Sequence, residues 1–222
     1  WLHGDRGLPR SYRHMDGFGT HTFRWTNAAG ESVWVKLHLK TAQGIECLLP
    51  SEALRLAGEK PDHHHADLQG AIARGEHPAW MMKVQVMSEA TAAVARIDPF
   101  DATKTWPYAD FPLHDVGRLV LNRNPSNYFA EVEQAAFNPA NFVPGIGPSP
   151  DRLLQGRLFA YGDAQRYRLG VNHTLLPINQ PRAAMARTYG RDGAMRCDDN
   201  GGSGPNFRPN ERSGTLPDPA VA

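Results

Sequence analysis

The sequence predicts an α+β chain, or a partial antiparallel β-barrel followed by a helical and irregular wrapping segment. Two observations carry this expectation. Segments with alternating apolar residues recur up to residue 123, and from residue 124 the texture changes to long Pro- and Gly-rich stretches around one strongly featured helix. The expected division is therefore 1–123 for the strands with their inserted helices, and 124–222 for the wrapping segment.

Residues 27–30, NAAG, lie between two strand candidates and read as a hairpin connection. In the second strand, SVWVKLHLK, Val33, Val35, Leu37 and Leu39 fall on one face, and Trp34, Lys36, His38 and Lys40 on the other. That alternation describes a half-buried antiparallel strand. SEALRLAG (51–58) and ADLQGAIARG (66–75) read as short helices, each closed by a glycine. AWMMKVQVM (79–87) and GRLVLNR (117–123) return to strand character, with the Pro-bearing segment 98–113 between them. SNYFAEVEQAAF (126–137) reads as a helix with Phe129, Val132, Ala136 and Phe137 on one face, followed by the connector NPANFVPGIGPSP. Ser149 then caps a helix that has Pro150 at its first position. From residue 171 onward the chain is mostly loop, of the kind that lies over another surface or chain.

Composition excludes several classes. Of 222 residues, 41% are hydrophobic and 21% charged, and 24 basic side chains face 23 acidic ones. The net charge of +1 gives no general electrostatic case for nucleic acid or an anionic membrane. No apolar run is long enough for a spanning helix. Cys47 and Cys197 have no ligand spacing, so neither a disulfide framework nor a zinc site is suggested, and a reduced, cytoplasmic compartment is expected. The three adjacent histidines 63–65 point in different directions on a helix and read as surface residues. The opening WLHGDRGLPRSYRH is neither a signal peptide nor a natural start, and the chain reads as a segment of a longer polypeptide.

The chemistry concentrates in RLFAYGDAQRYRLG, 157–170. On a helix Arg157 and Tyr161 sit at i and i+4 and share a face. Arg168 lies two turns beyond Tyr161, roughly 10 Å along the axis, near the same face. A guanidinium beside a phenol favours the phenolate, which is a hard anionic metal ligand. Spacing alone also suits a surface packing pair.

The surrounding blocks decide between these readings. DRGLPRSYRHMDGFGTHTF, VGRLVLNRNPSNYFAEVEQAAFNPAN, PGIGPSPDRLLQGRLFAYGDAQRYRLG and YGRDG…DDNGGSGPNFRPN together resemble the haem-dependent monofunctional catalases, in order, from residue 1 to about residue 210. Tyrosinate ligation of haem iron is the documented mode in catalase. The resemblance implies disproportionation of hydrogen peroxide to water and dioxygen. It implies that Tyr161 is the protein ligand of the iron and that Arg157 keeps its oxygen deprotonated. It further implies that Asp151 and His21 form a relay to that arginine. Because Asp151 and Arg157 are six residues apart, their link needs His21 or the bend of the helix start. Arg168 matches a partner of a haem propionate, and Phe137 an aromatic near the haem.

Arg6, Lys40 and Trp106 match positions that bind NADPH in many relatives. Asp16 stands where relatives commonly carry a neutral amide, Gly4 where some have serine, and Tyr108 where some have histidine. Gly162 and Gln165 replace residues that are Pro and His in some members. The distal histidine and asparagine of the family lie upstream of the DRGLP motif, outside this sequence. The chain is therefore expected to be inactive alone and to belong, when complete, to a homotetramer. Two alternatives remain open at this stage: a catalase-like haem protein acting on organic or lipid hydroperoxides, and a non-catalytic haem-binding segment.

Overall fold

The computed structural model describes residues 4–182, 192–196 and 200. It contains one antiparallel sheet built from β1 (Gly17–Thr26), β2 (Ser32–Thr41), β3 (Ala79–Ser88), β4 (His114–Val120) and β5 (Ile146–Pro148). Their order in the sheet is β4-β3-β2-β1-β5. Four α-helices accompany it: α1 (Pro50–Glu59), α2 (His63–Ala73), α3 (Glu89–Ala93) and α4 (Arg152–Leu169). The described residues fall in two compact units, Trp1–Ser126 with Pro139–Leu158, and Asn127–Asn138 with Phe159–Ala222.

In the first unit the β1–β2 hairpin closes at the expected turn. Asn27 Oδ1 accepts from the N–H groups of Ala29 and Glu31 at 3.0 and 2.9 Å, and Gly30 takes φ +82°, a conformation a glycine adopts without a steric penalty. The β1–β2 register shifts between Phe18 and Thr22. Beyond that irregularity His21 and Thr22 are both buried although they are adjacent in a strand, so both faces of β1 are covered there.

The half-buried reading of β2 is corrected by the structure. Lys36 and His38, on the face expected to be wet, are as buried as Val35 on the other. The Pro-bearing segment 98–113 covers that face, and its loop carbonyls, which have no ladder partner, take donors from the sheet. Thr22 donates to the Pro99 carbonyl at 2.6 Å, Lys36 to Lys104 at 2.8 Å, and Gln85 to Trp106 and Phe111 at 3.0 and 2.7 Å. Trp34 meets Phe100 edge-on and Trp106 packs against Phe111. Lys36 and Gln85 on this face therefore donate to a covering loop.

Element boundaries also differ from expectation, α2 opening at His63 rather than at residue 66. Strand β4 begins three residues earlier than predicted, pairing Val120 with Ala79 and His114 with Val84. The helix expected over 126–137 shrinks to a single π-helical turn, Phe129–Glu133. Phe129, Val132 and Phe137 remain exposed, so the apolar face that would stabilise a longer helix has no packing partner among the described residues. Helix α4 starts at Arg152, not at Pro150. Its cap is Asp151, whose Oδ1 accepts from Leu153 and Leu154 N–H at 2.9 and 3.1 Å. Ser149 instead accepts from the Asp151 N–H at 3.3 Å. A carboxylate at this position satisfies two orphan donors and meets the positive end of the helix.

In the second unit, Asn179 ties the π-helical turn to the stretch after α4. Its side chain accepts from Ala136 N–H at 2.8 Å and donates to the Gln134 and His173 carbonyls, both at 2.9 Å.

Candidate functional site

The first unit brings three predicted residues into a line. His21 comes from β1, Asp151 from the cap of α4, and Arg157 from the second turn of that helix. His21 Nδ1 lies 2.6 Å from Asp151 Oδ2, and His21 Nε2 lies 2.7 Å from Arg157 Nη1. His21 thus bridges the gap that helix spacing alone leaves between Asp151 and Arg157.

The donors and acceptors fix the chemistry of this line. A guanidinium can only donate, so Nε2 of His21 accepts and carries no proton. The ring's proton is then on Nδ1, donated to Asp151. Asp151 is 2% exposed. Burial pushes its carboxyl up, but hydrogen bonds from His21 and from the Leu154 and Leu153 N–H groups outweigh that effect and hold it below the ordinary carboxylate value. The line therefore reads as carboxylate, neutral imidazole, guanidinium. Lys36 also feels Asp151: its ammonium is pushed down by burial and pulled back by Asp151 and Asp101.

Tyr161 is four residues after Arg157 in the same continuous helix, half-buried. In the second unit, Gln165 and Arg168 form one network. Gln165 donates to the Phe137 carbonyl at 3.0 Å, and its Oε1 accepts from Arg168 Nε and Nη2 at 3.0 and 2.7 Å. Arg168 also donates to the Glu133 and Ala135 carbonyls at 2.6 and 2.7 Å. These four bonds use four of its five N–H groups. Phe137 is 83% exposed, a large bare aromatic face.

The remaining predicted residues do not form one constellation. Arg6 sits exposed in a 3₁₀ turn, Asp5–Gly7. Lys40 is ion-paired to Asp16 at 2.8 Å. Trp106 is buried and lines a cavity of about 430 Å³ together with Phe18, Lys36, His38, Gln85 and Tyr108. The histidines 63–65 open α2, where His64 packs on Tyr12 with ring centroids 5.0 Å apart. Among the described residues no group of three His, Cys, Asp or Glu side chains could hold a metal ion. Cys47 is a free, exposed thiol, and Cys197 lies outside the described residues.

Sequence reasoning missed the supports. Asn179 stands in a loop with no periodic signal. The pairing of Lys36 with Gln85 across β2 and β3 was hidden because both look like solvent-facing positions.

In the first unit an antiparallel sheet and the start of α4 thus share an Asp–His–Arg line. The family model described as catalase matches residues 1–214. The chain belongs to the catalase family. It is 62% identical to the catalase of Streptomyces coelicolor over 216 residues, covering 96% of this chain and 44% of that protein. It is 58% identical to the bromoperoxidase-catalase of Streptomyces venezuelae, covering 97% of this chain and 44% of that one. Among solved structures, a bacterial catalase superposes with a TM-score of 0.88 at 50% identity, covering 95% of this chain and 41% of that chain. Catalase A from Saccharomyces cerevisiae also gives 0.88, at 46% identity over 94% of this chain and 43% of that one. The chain spans less than half the length of these relatives.

Proposed function

We propose that the complete polypeptide is a haem catalase that disproportionates hydrogen peroxide to water and dioxygen, with the Tyr161 oxygen as the protein ligand of the iron. The observation that carries this reading is the Asp151–His21–Arg157 line, with Asp151 and His21 buried, which fixes a guanidinium on α4 one turn before Tyr161 in the sequence.

Catalases as a family are haem-dependent, and the donor set here fits that group. A phenolate oxygen suits ferric iron, and the exposed ring of Phe137 offers a flat apolar face to a porphyrin. When bound, the haem supplies the redox-active iron at which the peroxide O–O bond is cleaved. The chain's own residues hold and tune it. Tyr161 provides the anionic oxygen. Arg157, one turn earlier on α4, is the positive charge that the resemblance assigns to that oxygen. His21 accepts from Arg157 and so fixes the guanidinium, while Asp151 keeps the proton of His21 on Nδ1 and Nε2 open as acceptor. Arg168 is held by Gln165 and two carbonyls, which leaves its charge and one N–H for a haem carboxylate.

Homotetrameric assembly and a cytoplasmic location belong to the same proposal. The exposed Phe159 and Tyr167 on α4 support burial against a partner. Among the described residues no helix is long and apolar enough to cross a membrane.

The test is the stoichiometry of the complete polypeptide with haem. One dioxygen released for two peroxides consumed, with no added reductant, is expected. Peroxide consumption that needs an organic reductant or releases no dioxygen would overturn the reading.

A further inference from the structure

Many catalases are expected to hold NADPH, and three residues here match positions used for it: Arg6, Lys40 and Trp106. Arg6 and Lys40 are the basic pair that could contact a phosphate, and the structure shows a misfit at Lys40. Lys40 Nζ is bound to Asp16 Oδ2 at 2.8 Å, and the other oxygen, Oδ1, accepts from the Thr41 N–H at 2.9 Å. The pair is partly buried, with side chains 27% and 19% exposed. The Lys40 ammonium also lies 4.5 Å from the ring centroid of Phe18, which lines the 430 Å³ cavity beside Trp106 and Tyr108. Lys40 is therefore held at the cavity's rim by a carboxylate and an aromatic face. Two lysines, Lys36 and Lys104, line the cavity itself, and Lys36 donates to the Lys104 carbonyl at 2.8 Å.

We infer that Lys40 lends this cavity no selectivity for the 2′-phosphate of NADPH, and that Asp16 is the residue that sets this. A phosphate arriving at Lys40 meets an ion pair of no net charge. It must either displace Asp16 from Lys40 and from the Thr41 N–H, or stay near a carboxylate of its own sign. A neutral amide at position 16 keeps an oxygen for the Thr41 N–H and releases the ammonium. Phosphate selectivity at this rim is therefore decided by one oxygen-for-nitrogen exchange, independently of the haem.

The test is equilibrium binding of NADPH and of NADH, which lacks the phosphate, to the complete haem-loaded protein. Comparing the two nucleotides removes any general effect of a variant on the cavity. The ratio of NADPH to NADH affinity is expected to rise about tenfold or more from wild type to Asp16→Asn at low salt. Adding Lys40→Met to Asp16→Asn should return the ratio to the wild-type value, while Lys40→Met alone, which leaves the Asp16 carboxylate unpaired, should lower it. An Asp16→Asn ratio equal to wild type, or a raised ratio that survives Lys40→Met in the double variant, would each overturn the inference.

Discussion

Asp151 performs two tasks with its two oxygens, and a pair of substitutions separates them. Oδ1 caps α4 through Leu153 and Leu154, and Oδ2 accepts from His21. Asp151→Ala removes both. Losing the cap costs about 1 kcal/mol, and leaving the buried Nδ1–H of His21 without an acceptor costs about 1–3 kcal/mol more. Asp151→Asn keeps an oxygen at the cap but can turn an N–H₂ toward His21. The ring must then leave two donors facing each other at Nδ1, or move its proton to Nε2 and face the N–H of Arg157. Either arrangement is one buried mismatch, again about 1–3 kcal/mol. Urea unfolding of the complete protein should thus rank wild type above Asp151→Asn, and Asp151→Asn above Asp151→Ala, the last step being about 1 kcal/mol. Nitrogen NMR of the His21 ring should show the proton on Nδ1 in wild type. An Asp151→Asn protein as stable as wild type, or a His21 proton on Nε2, would refute the assignment of donors and acceptors.

Further expectations concern the frame around this line. Arg13 holds Asp67 through two hydrogen bonds, and the side-chain bond from Arg13 lowers its carboxyl from 3.8 to about 2. Because the folded value is depressed, the stabilisation is fully present above pH 3.8 and is lost as pH falls toward 2. Asp67→Asn should therefore remove about 2 kcal/mol at neutral pH, a deficit that closes over this window when unfolding is followed against pH. A Cβ at Gly19 would lie 2.8 Å from the Leu37 carbonyl oxygen. Gly19→Ala should cost about 1–3 kcal/mol in thermal unfolding and, by shifting β1 just before His21, should disturb the His21 ring signals. Asn179→Ala leaves the Ala136 N–H and two carbonyls without their partner. Faster hydrogen exchange confined to residues 127–138 is expected, with the sheet amides unchanged.

How much of this was legible beforehand depended on whether a residue's partner was local. The hairpin at 27–30, strands β2 and β3 and the existence of α4 follow from turn chemistry and periodicity, which are properties of short windows. The burial of Lys36 and His38 does not, because it depends on a loop some 65 residues away supplying carbonyls that only a buried donor can satisfy. The helix expected over 126–137 failed for the converse reason: its apolar face was visible, but nothing among the described residues covers Phe129 or Phe137. At the site, the i, i+4 spacing of Arg157 and Tyr161 was readable directly. That a link between Asp151 and Arg157 needs His21 or the bend of the helix start followed from their separation of six, and only the fold, by bringing residue 21 to residue 151, chooses His21. The cap moved from Ser149 to Asp151 because both are good capping residues and only geometry chooses between them.

The claim that Tyr161 ligates haem iron is tested most directly by optical titration of ferric haem into the complete polypeptide and its Tyr161→Phe variant. The account predicts a high-spin ferric phenolate spectrum in the wild type, with those bands and stoichiometric haem binding both lost in the variant. A variant that binds haem fully with an unchanged spectrum would contradict it.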